Sequence, residues 1–310
     1  MRRTAALLIA ALTTCSTVVA TLAAPAAADD PMPVPYQFLP TAVLGGAQTN
    51  APGTNIWSCK PTARHPRPVV LVHGTGGNKA TNWQTYGPLL KNNGYCVFAL
   101  TYGLPYPTVP VANQLGGMND MRQSARELRT FVNRVLRATG AHKVDLVGHS
   151  QGTLMPQYYV RYLGGARHVY RYISLAPLWH GTQSEPTGIL AMATAAFGGG
   201  DAPVPYCVAC GQFQPGSDFI KEIRRGRVAT PGVRYVNIMT KYDELVVPYS
   251  SGIQAGMTNI VLQDRCAQDY SEHFQIAANP NAARLVLNHL DPAHARPLRC
   301  RIQLPFLGGP

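Results

Sequence analysis

Residues 143–152, KVDLVGHSQG, decide which fold class this chain is expected to adopt. The apolar run that begins at Val144 predicts a short buried strand. The next five residues, 148–152, match the pattern G-x-S-x-G, in which a serine lies on a sharp turn between a strand and a helix. Backbone segments approach so closely at such a turn that only residues without a Cβ fit beside the serine. The pattern therefore predicts that Ser150 is a nucleophile exposed at the end of a strand.

Strands and helices alternate along the chain on both sides of this turn. Strands are predicted at residues 67–72, 95–102, 144–147, 170–176, 233–240 and 259–262. Helices are predicted at residues 83–92, 119–139, 151–163 (bent at Pro156) and 281–290, and in a short basic segment that ends at 221–227. This alternation indicates an α/β protein with a mostly parallel sheet and helices on both faces. Residues 29–55, rich in Pro, Ala, Gly and Asn, are expected to have little regular structure.

The first 28 residues have the pattern of a secretory signal peptide. Two arginines precede a stretch without charge that lasts until Asp29 and ends in three alanines, and cleavage is expected after Ala28. A membrane anchor is the alternative, since the uncharged run is long enough to span a bilayer, but its Ala and Thr content disfavours one. A lipoprotein anchored at Cys15 is disfavoured by the residue before it. Residues 29–310 are then predicted to form one secreted catalytic domain.

The chain is basic, with 27 Lys and Arg against 15 Asp and Glu and a formal charge of +12. A basic exported protein favours anionic lipid or cell-wall surfaces. No cluster of basic residues alternates with aromatic ones, so nucleic acid is not an expected partner. No metal or organic cofactor is implied by any motif, and the protein is expected to be a monomer.

Seven cysteines are present, and Cys15 would leave with the signal peptide. The six that remain indicate three disulfides in an exported protein, although 15 pairings are formally open. Order along the chain favours the pairs Cys59–Cys96, Cys207–Cys210 and Cys266–Cys300. A redox or zinc site is the alternative for the C-x-x-C pair at 207–210. The chain has no second such pair and no neighbouring pair of histidines, which favours a structural clamp.

A glycine-rich turn, residues 73–77 (HGTGG), follows directly on the first predicted strand. Such a turn can direct several backbone N–H groups toward one point. A phosphate-binding loop would end in GK[ST], which is missing here. The turn is therefore interpreted as one half of an oxyanion hole, which the loop after such a strand supplies.

A serine nucleophile needs a base to take its proton and an acid to orient that base. In the fold that G-x-S-x-G indicates, the chain order is Ser, then Asp or Glu, then His. Asp243 directly follows a predicted strand, where active-site residues of α/β sheets gather. Glu244 shares that position and is the alternative acid. Asp264 also follows a strand, but it lies close in sequence to the candidate base.

The base is expected to come from a histidine that follows the acid in the chain. His273 lies in the loop between the last predicted strand and the last predicted helix, and it is the preferred candidate. His289 falls inside that helix, where packing or solvation is the simpler role. His294 falls in a Pro-rich tail.

Five segments carry a family resemblance: VVLVHGTGGN at 69–78, GYCVFALTYG at 94–103, VDLVGHSQG at 144–152, QYYVRYLGG at 157–165 and HGT at 180–182. With them the chain resembles the class 2 lipases of the α/β-hydrolase fold, which are secreted bacterial triacylglycerol lipases. The resemblance implies a catalytic triad of Ser150, Asp243 and His273. It also implies that the backbone N–H groups of Thr75 and Gln151 form the oxyanion hole.

The expected function is hydrolysis of acylglycerol esters, with a lipid or other ester as substrate and a lipid–water interface as a candidate place of action. Residues 186–200 are apolar and uncharged, and they are expected to form an acyl-binding wall or partial lid that includes Leu190 and Phe197. Ordinary core packing is the alternative for this segment. A carboxylesterase or polyester hydrolase for short acyl chains is the rival enzyme, and a non-catalytic protein that binds lipid or cell wall is the rival outside enzymes.

Overall fold

In the part of the chain that the structure describes, six parallel strands form one central sheet. The computed structural model describes residues 30–45, 49–108, 112–184 and 207–309. The strands are β1 (Val69–Val72), β2 (Val97–Leu100), β3 (Val144–His149), β4 (Val169–Leu175), β5 (Arg234–Met239) and β6 (Thr258–Val261). They lie in the order β2-β1-β3-β4-β5-β6, and each of these neighbouring pairs is parallel. The prediction of a parallel α/β sheet is confirmed.

Helices cover both faces of the sheet. They are α1 (Phe38–Gly45), α2 (Tyr86–Asn92), α3 (Met121–Thr139), α4 (Met155–Tyr162), α5 (Val208–Gln212), α6 (Asp218–Arg224) and α7 (Pro280–Leu290). All four residues of β1 are fully buried. Their side chains alternate between two hydrophobic cores, one on each face of the sheet. Val70 and Val72 join the core under α3 and α4, whereas Val69 and Leu71 join the core under α2 and α7. A strand covered on both faces is continuously apolar for this reason.

Helix α3 is the element whose sequence specifies both of its ends. The side chain of Asp120 accepts the N–H of Arg122 at 2.7 Å and so caps the first turn. At the other end Gly140 takes a left-handed conformation with φ 75°, which glycine adopts without steric cost. Between these caps the apolar stripe from Met121 to Val135 is buried. The helix predicted at 119–139 is confirmed to within two residues.

The helix after Ser150 differs from the prediction. A continuous helix bent at Pro156 was expected at 151–163, but the chain forms a 3-10 helix at Ser150–Thr153 and then α4. Pro156 thereby falls in the first turn of α4. The missing N–H costs nothing there, because the first N–H groups of a helix have no partner inside it.

The prediction that residues 29–55 have little regular structure is wrong for α1. Phe38, at its first position, donates its N–H to Oε1 of Gln275 at 3.0 Å. The ring of Phe38 lies 5.7 Å from that of Phe274. Both partners lie more than 230 positions further along the chain, so local composition does not report them. Contacts between residues so far apart in sequence can stabilise a helix in a segment whose own residues have only a weak preference for one.

The structure contains the three disulfides that chain order favours, Cys59–Cys96, Cys207–Cys210 and Cys266–Cys300. Residues from Met32 onward form one compact unit that includes the whole sheet. Residues 1–28, Leu190 and Phe197 lie outside the described residues. Within the described ranges no helix is long and apolar enough to cross a membrane, and no group of His, Cys, Asp or Glu could hold a metal ion.

Candidate active site

The turn after β3 carries Ser150 in a strained backbone conformation. Its φ is +54°, which few residues other than glycine adopt. A Cβ placed on Gly148 would lie 2.0 Å from the carbonyl oxygen of Gly152. A Cβ on Gly152 would lie 1.9 Å from the carbonyl oxygen of Val72. Both glycines of G-x-S-x-G are therefore required by close backbone approach, as the sequence predicts.

Asp243 and His273 meet at the carboxyl edge of the sheet. Nδ1 of His273 donates to Oδ1 of Asp243 at 2.8 Å, and both side chains are buried. The same oxygen accepts the backbone N–H groups of Leu245 at 3.1 Å and Val246 at 2.7 Å. Because the proton is held on Nδ1, Nε2 of His273 is left with a lone pair. A histidine in this tautomer can act as a general base.

The charge environment of His273 favours its protonated form. Burial lowers the pKa of the ring, but the adjacent Asp243 carboxylate, followed by Glu244 and Glu272, more than offsets this, so that the pKa of His273 is raised. A base with a raised pKa takes a proton more readily from a hydroxyl. The same environment stabilises the imidazolium that forms when it does so.

Glu244, the alternative acid, contacts the backbone of the histidine and leaves the ring to Asp243. Its Oε2 accepts the N–H of His273 at 3.1 Å. Its Oε1 is buried without a hydrogen-bond partner among the described residues, and burial raises the pKa of this carboxyl. Glu244 therefore stabilises the backbone of the loop that carries His273.

The other acid and base candidates lie elsewhere. Asp264 is exposed and forms an ion pair with Lys241 at 2.8 Å. His289 lies within α7. His294 is more than half exposed and contacts Asp291 at 2.9 Å. None of these three faces Asp243 or His273 in the hydrogen bonds of the described residues.

His149 links the serine turn to the histidine loop. It precedes Ser150, and its Nε2 donates to the carbonyl oxygen of His273 at 2.8 Å. The two imidazole rings are 5.0 Å apart. Complete burial lowers the pKa of His149 to about 3, so the ring is neutral at physiological pH. In the sequence His149 stands out only as a member of the G-x-S-x-G motif, which does not predict its hydrogen bond to the backbone of His273.

A buried polar network supports the loop that carries His273. The carboxylate of Asp269 accepts Oγ–H of Ser271 at 2.6 Å and the side-chain amides of Asn279 and Asn281, each at 2.8 Å. Asp269 is fully buried and has no cation beside it in the described ion pairs. Four donors, counting the N–H of Ser271, replace its water shell. Sequence analysis missed this group, for which the spacing of Asn279 and Asn281 is the only local signal.

Thr75 and Gln151 are brought together by the turns after β1 and β3. Oγ1 of Thr75 donates to Oε1 of Gln151 at 3.2 Å. The N–H groups of Gly74, Gly76 and Gly77 donate to protein oxygens, whereas that of Thr75 has no such acceptor among the described residues. Gln151 is the second residue of a 3-10 helix, where N–H groups have no partner within the helix. Thr75 and Gln151 thus each carry a backbone N–H group without a protein acceptor among the described residues.

His73 is a structural residue beneath this turn. Its Nδ1 donates to the carbonyl oxygen of Gly74 at 2.7 Å, and its Nε2 accepts the N–H of Tyr102 at 3.3 Å. Its ring stacks on that of Tyr102 with centroids 4.2 Å apart. Burial lowers the pKa of His73 to about 4, so it remains neutral. A neutral, fully bonded histidine fixes the shape of the glycine-rich turn.

The parallel sheet, the serine turn after β3 and the residues that follow β5 and β6 define an α/β hydrolase. Within this class, the chain belongs to the class 2 lipase family, because the family model described as "Lipase (class 2)" matches residues 66–286.

Two similar proteins have names that describe an activity. Triacylglycerol lipases from Pseudarthrobacter phenanthrenivorans and Burkholderia plantarii are each 37% identical to this chain over 98 residues. The alignment covers 29% of this chain and 27% and 24% of theirs, so it spans about a quarter of these relatives.

Solved structures share the fold. Aspergillus fumigatus lipase B superimposes with a TM-score of 0.60 at 21% identity, covering 81% of this chain and 57% of that one. Bacillus licheniformis lipase BlEst2 in its mature form gives 0.54 at 17% identity, covering 74% of this chain and 94% of that one. At these identities the likeness concerns the fold.

Proposed function

We propose that this protein is a secreted serine ester hydrolase that cleaves acylglycerols through an acyl-enzyme on Ser150. The observation that carries the proposal is the buried contact of 2.8 Å between Asp243 and Nδ1 of His273. His149 places the loop of that histidine beside the serine turn through its 2.8 Å hydrogen bond. The Asp–His pair and the serine turn are the parts that nucleophilic acyl transfer requires.

In the proposed reaction, Nε2 of His273 takes the proton of Ser150 Oγ as the oxygen attacks the ester carbonyl. The carbonyl oxygen becomes negative and receives hydrogen bonds from the N–H groups of Thr75 and Gln151. His273 then protonates the leaving alkoxide, and the C–O bond of the ester breaks. Nε2 of His273 next takes a proton from water, whose oxygen attacks the acyl carbon. The bond between that carbon and Ser150 Oγ then breaks, Oγ receives the proton from His273, and the fatty acid is released.

Substrate and location have separate support. The acylglycerol substrate rests on family membership and on the triacylglycerol lipase names of the two relatives. Export rests on the signal-like residues 1–28 and on the three disulfides, which persist in oxidising compartments.

The test is Ser150→Ala in the mature protein, with Ser58→Ala as the matched control because Ser58 is exposed. Hydrolysis of p-nitrophenyl butyrate and of a triacylglycerol emulsion should fall on the order of 10⁴-fold or more in the first variant and stay unchanged in the second. A fluorophosphonate should label wild type and the control only. Activity or labelling that survives in folded Ser150→Ala excludes Ser150 as the nucleophile.

A further inference from the structure

Four arginines surround a cavity of about 440 Å³ near the C-terminus. The arginine cluster consists of Arg284, Arg296, Arg299 and Arg301, and Tyr36, Pro280 and Pro297 complete the lining. Among the described residues that line the cavity, none carries a carboxylate side chain. None of the four guanidinium groups belongs to an ion pair among the described residues. Four uncompensated cations around one cavity favour an anionic partner.

An exposed apolar segment follows the last of these arginines. The apolar tip consists of Ile302, Leu304, Phe306 and Leu307, whose exposed fractions are 41%, 43%, 38% and 64%. A tight reversal holds it outward, because the N–H groups of Leu304 and Gly308 each donate to the carbonyl oxygen of the other. Large apolar side chains gathered at a turn beside a cationic surface are typical of sites that contact membranes.

The C-terminal segment is held rigidly on the body of the protein. A disulfide joins Cys300, which lies between two of the arginines, to Cys266. The backbone of Arg301 exchanges hydrogen bonds with the side chain of Asn281 at 2.8 and 3.0 Å. The N–H of Tyr270 donates to the carbonyl oxygen of Gln303 at 2.8 Å. The cations and the tip are therefore presented together, and little ordering is left for a partner to impose.

We propose that the arginine cluster and the apolar tip form a docking surface for an anionic phospholipid bilayer. Guanidinium groups match phosphate oxygens in a bidentate fashion, and the tip can enter the boundary between headgroups and acyl chains. The tip also connects to the candidate site, since the N–H of Phe306 donates to Oε1 of Glu272 at 2.9 Å, one residue before His273. Docking here brings the loop of His273 to the membrane surface. This surface goes beyond the proposed function, because binding needs no chemistry at Ser150.

The experiment is co-sedimentation of the mature protein with vesicles of phosphatidylglycerol or of phosphatidylcholine at low salt. Each arginine near an anionic surface strengthens binding about fivefold, so Arg299→Gln with Arg301→Gln should weaken binding to phosphatidylglycerol about 25-fold. The control is Arg126→Gln with Arg137→Gln, which removes the same amount of charge from two exposed positions on α3. Helix α3 covers the face of the sheet opposite to α7, which carries Arg284 of the cluster. The control should therefore change binding less than about threefold. Leu307→Ser should weaken binding about tenfold.

Three results would overturn the proposal. Equal losses in the two double variants would mean that only net charge matters. Binding to phosphatidylcholine as tight as to phosphatidylglycerol would exclude a role for anionic headgroups. Unchanged binding by Leu307→Ser, together with full competition by soluble polyphosphate, would identify a site for polyanions. Circular dichroism confirms that each variant is folded, and because sedimentation does not require turnover, the result is independent of whether the protein hydrolyses esters.

Discussion

One oxygen of Asp243 serves three donors, and this makes Asp243→Asn an informative substitution. Oδ1 accepts Nδ1–H of His273 at 2.8 Å and the N–H groups of Leu245 and Val246 at 3.1 and 2.7 Å. In the variant the amide oxygen should occupy this position, because the opposite orientation would place an NH₂ group against two backbone donors. The ring of His273 then keeps an acceptor for its proton and keeps its tautomer. The variant loses the negative charge alone.

The expected loss of rate can be estimated from the interaction that the negative charge of Asp243 makes with the protonated ring of His273. A hydrogen bond to a charged acceptor is roughly twice as strong as one to a neutral acceptor, which sets a lower limit of about 1.4 kcal/mol, or tenfold in rate. Opposite charges about 4 Å apart at an effective dielectric constant of about 20 interact by about 4 kcal/mol, which sets an upper limit of about 10³-fold. Asp243→Ala loses charge and orientation together and should cost about 10⁴-fold.

The assay is kcat/KM for p-nitrophenyl butyrate as a function of pH, with Asp264→Asn as the control because that carboxylate is exposed. In wild type, activity should fall as the pH drops through the raised pKa of His273, since the protonated ring cannot accept a proton. In Asp243→Asn the main cause of that raised pKa is gone, so this acid limb should move to lower pH. Equal losses of about 10⁴-fold in the Asn and Ala variants would refute the argument that the backbone holds the oxygen.

Two further predictions concern stability. Asp145 is buried against Arg67 and Arg171. Asp145→Asn would leave Arg171 with a buried, unpaired charge, so the free energy of unfolding in urea titrations should fall by about 3–5 kcal/mol. A fall of less than about 1 kcal/mol would contradict this. Burial, chiefly, raises the pKa of Glu272 from 4.5 to about 7. Between these values the folded state holds more protons, so wild type should lose stability relative to Glu272→Gln as pH rises, by at most about 3 kcal/mol. The measurement is the melting temperature of both proteins between pH 4.5 and about 7. A difference in melting temperature that stays constant across this range would contradict the prediction.

Local patterns were sufficient wherever a feature depends on neighbours in the chain. The strand, serine and two glycines of 144–152 were predicted correctly, because each glycine excludes a Cβ that would lie within about 2 Å of backbone. The end of α3 was predicted because Gly140 caps it, whereas α3 begins two residues after the predicted start, where Asp120 caps its first turn. The sequence by itself thus determined the parallel α/β class and the identity of Ser150 as the residue at the turn.

Tertiary structure decided what depends on distant partners. Asp243 and Glu244 are adjacent in the chain and follow the same predicted strand, yet Asp243 contacts the ring of His273 and Glu244 contacts its backbone N–H. Sequence analysis missed the Asp269 network and the arginine cluster, because the role of these side chains depends on which residues the fold brings beside them. Distances between side chains far apart in sequence follow from packing, and local composition does not encode them.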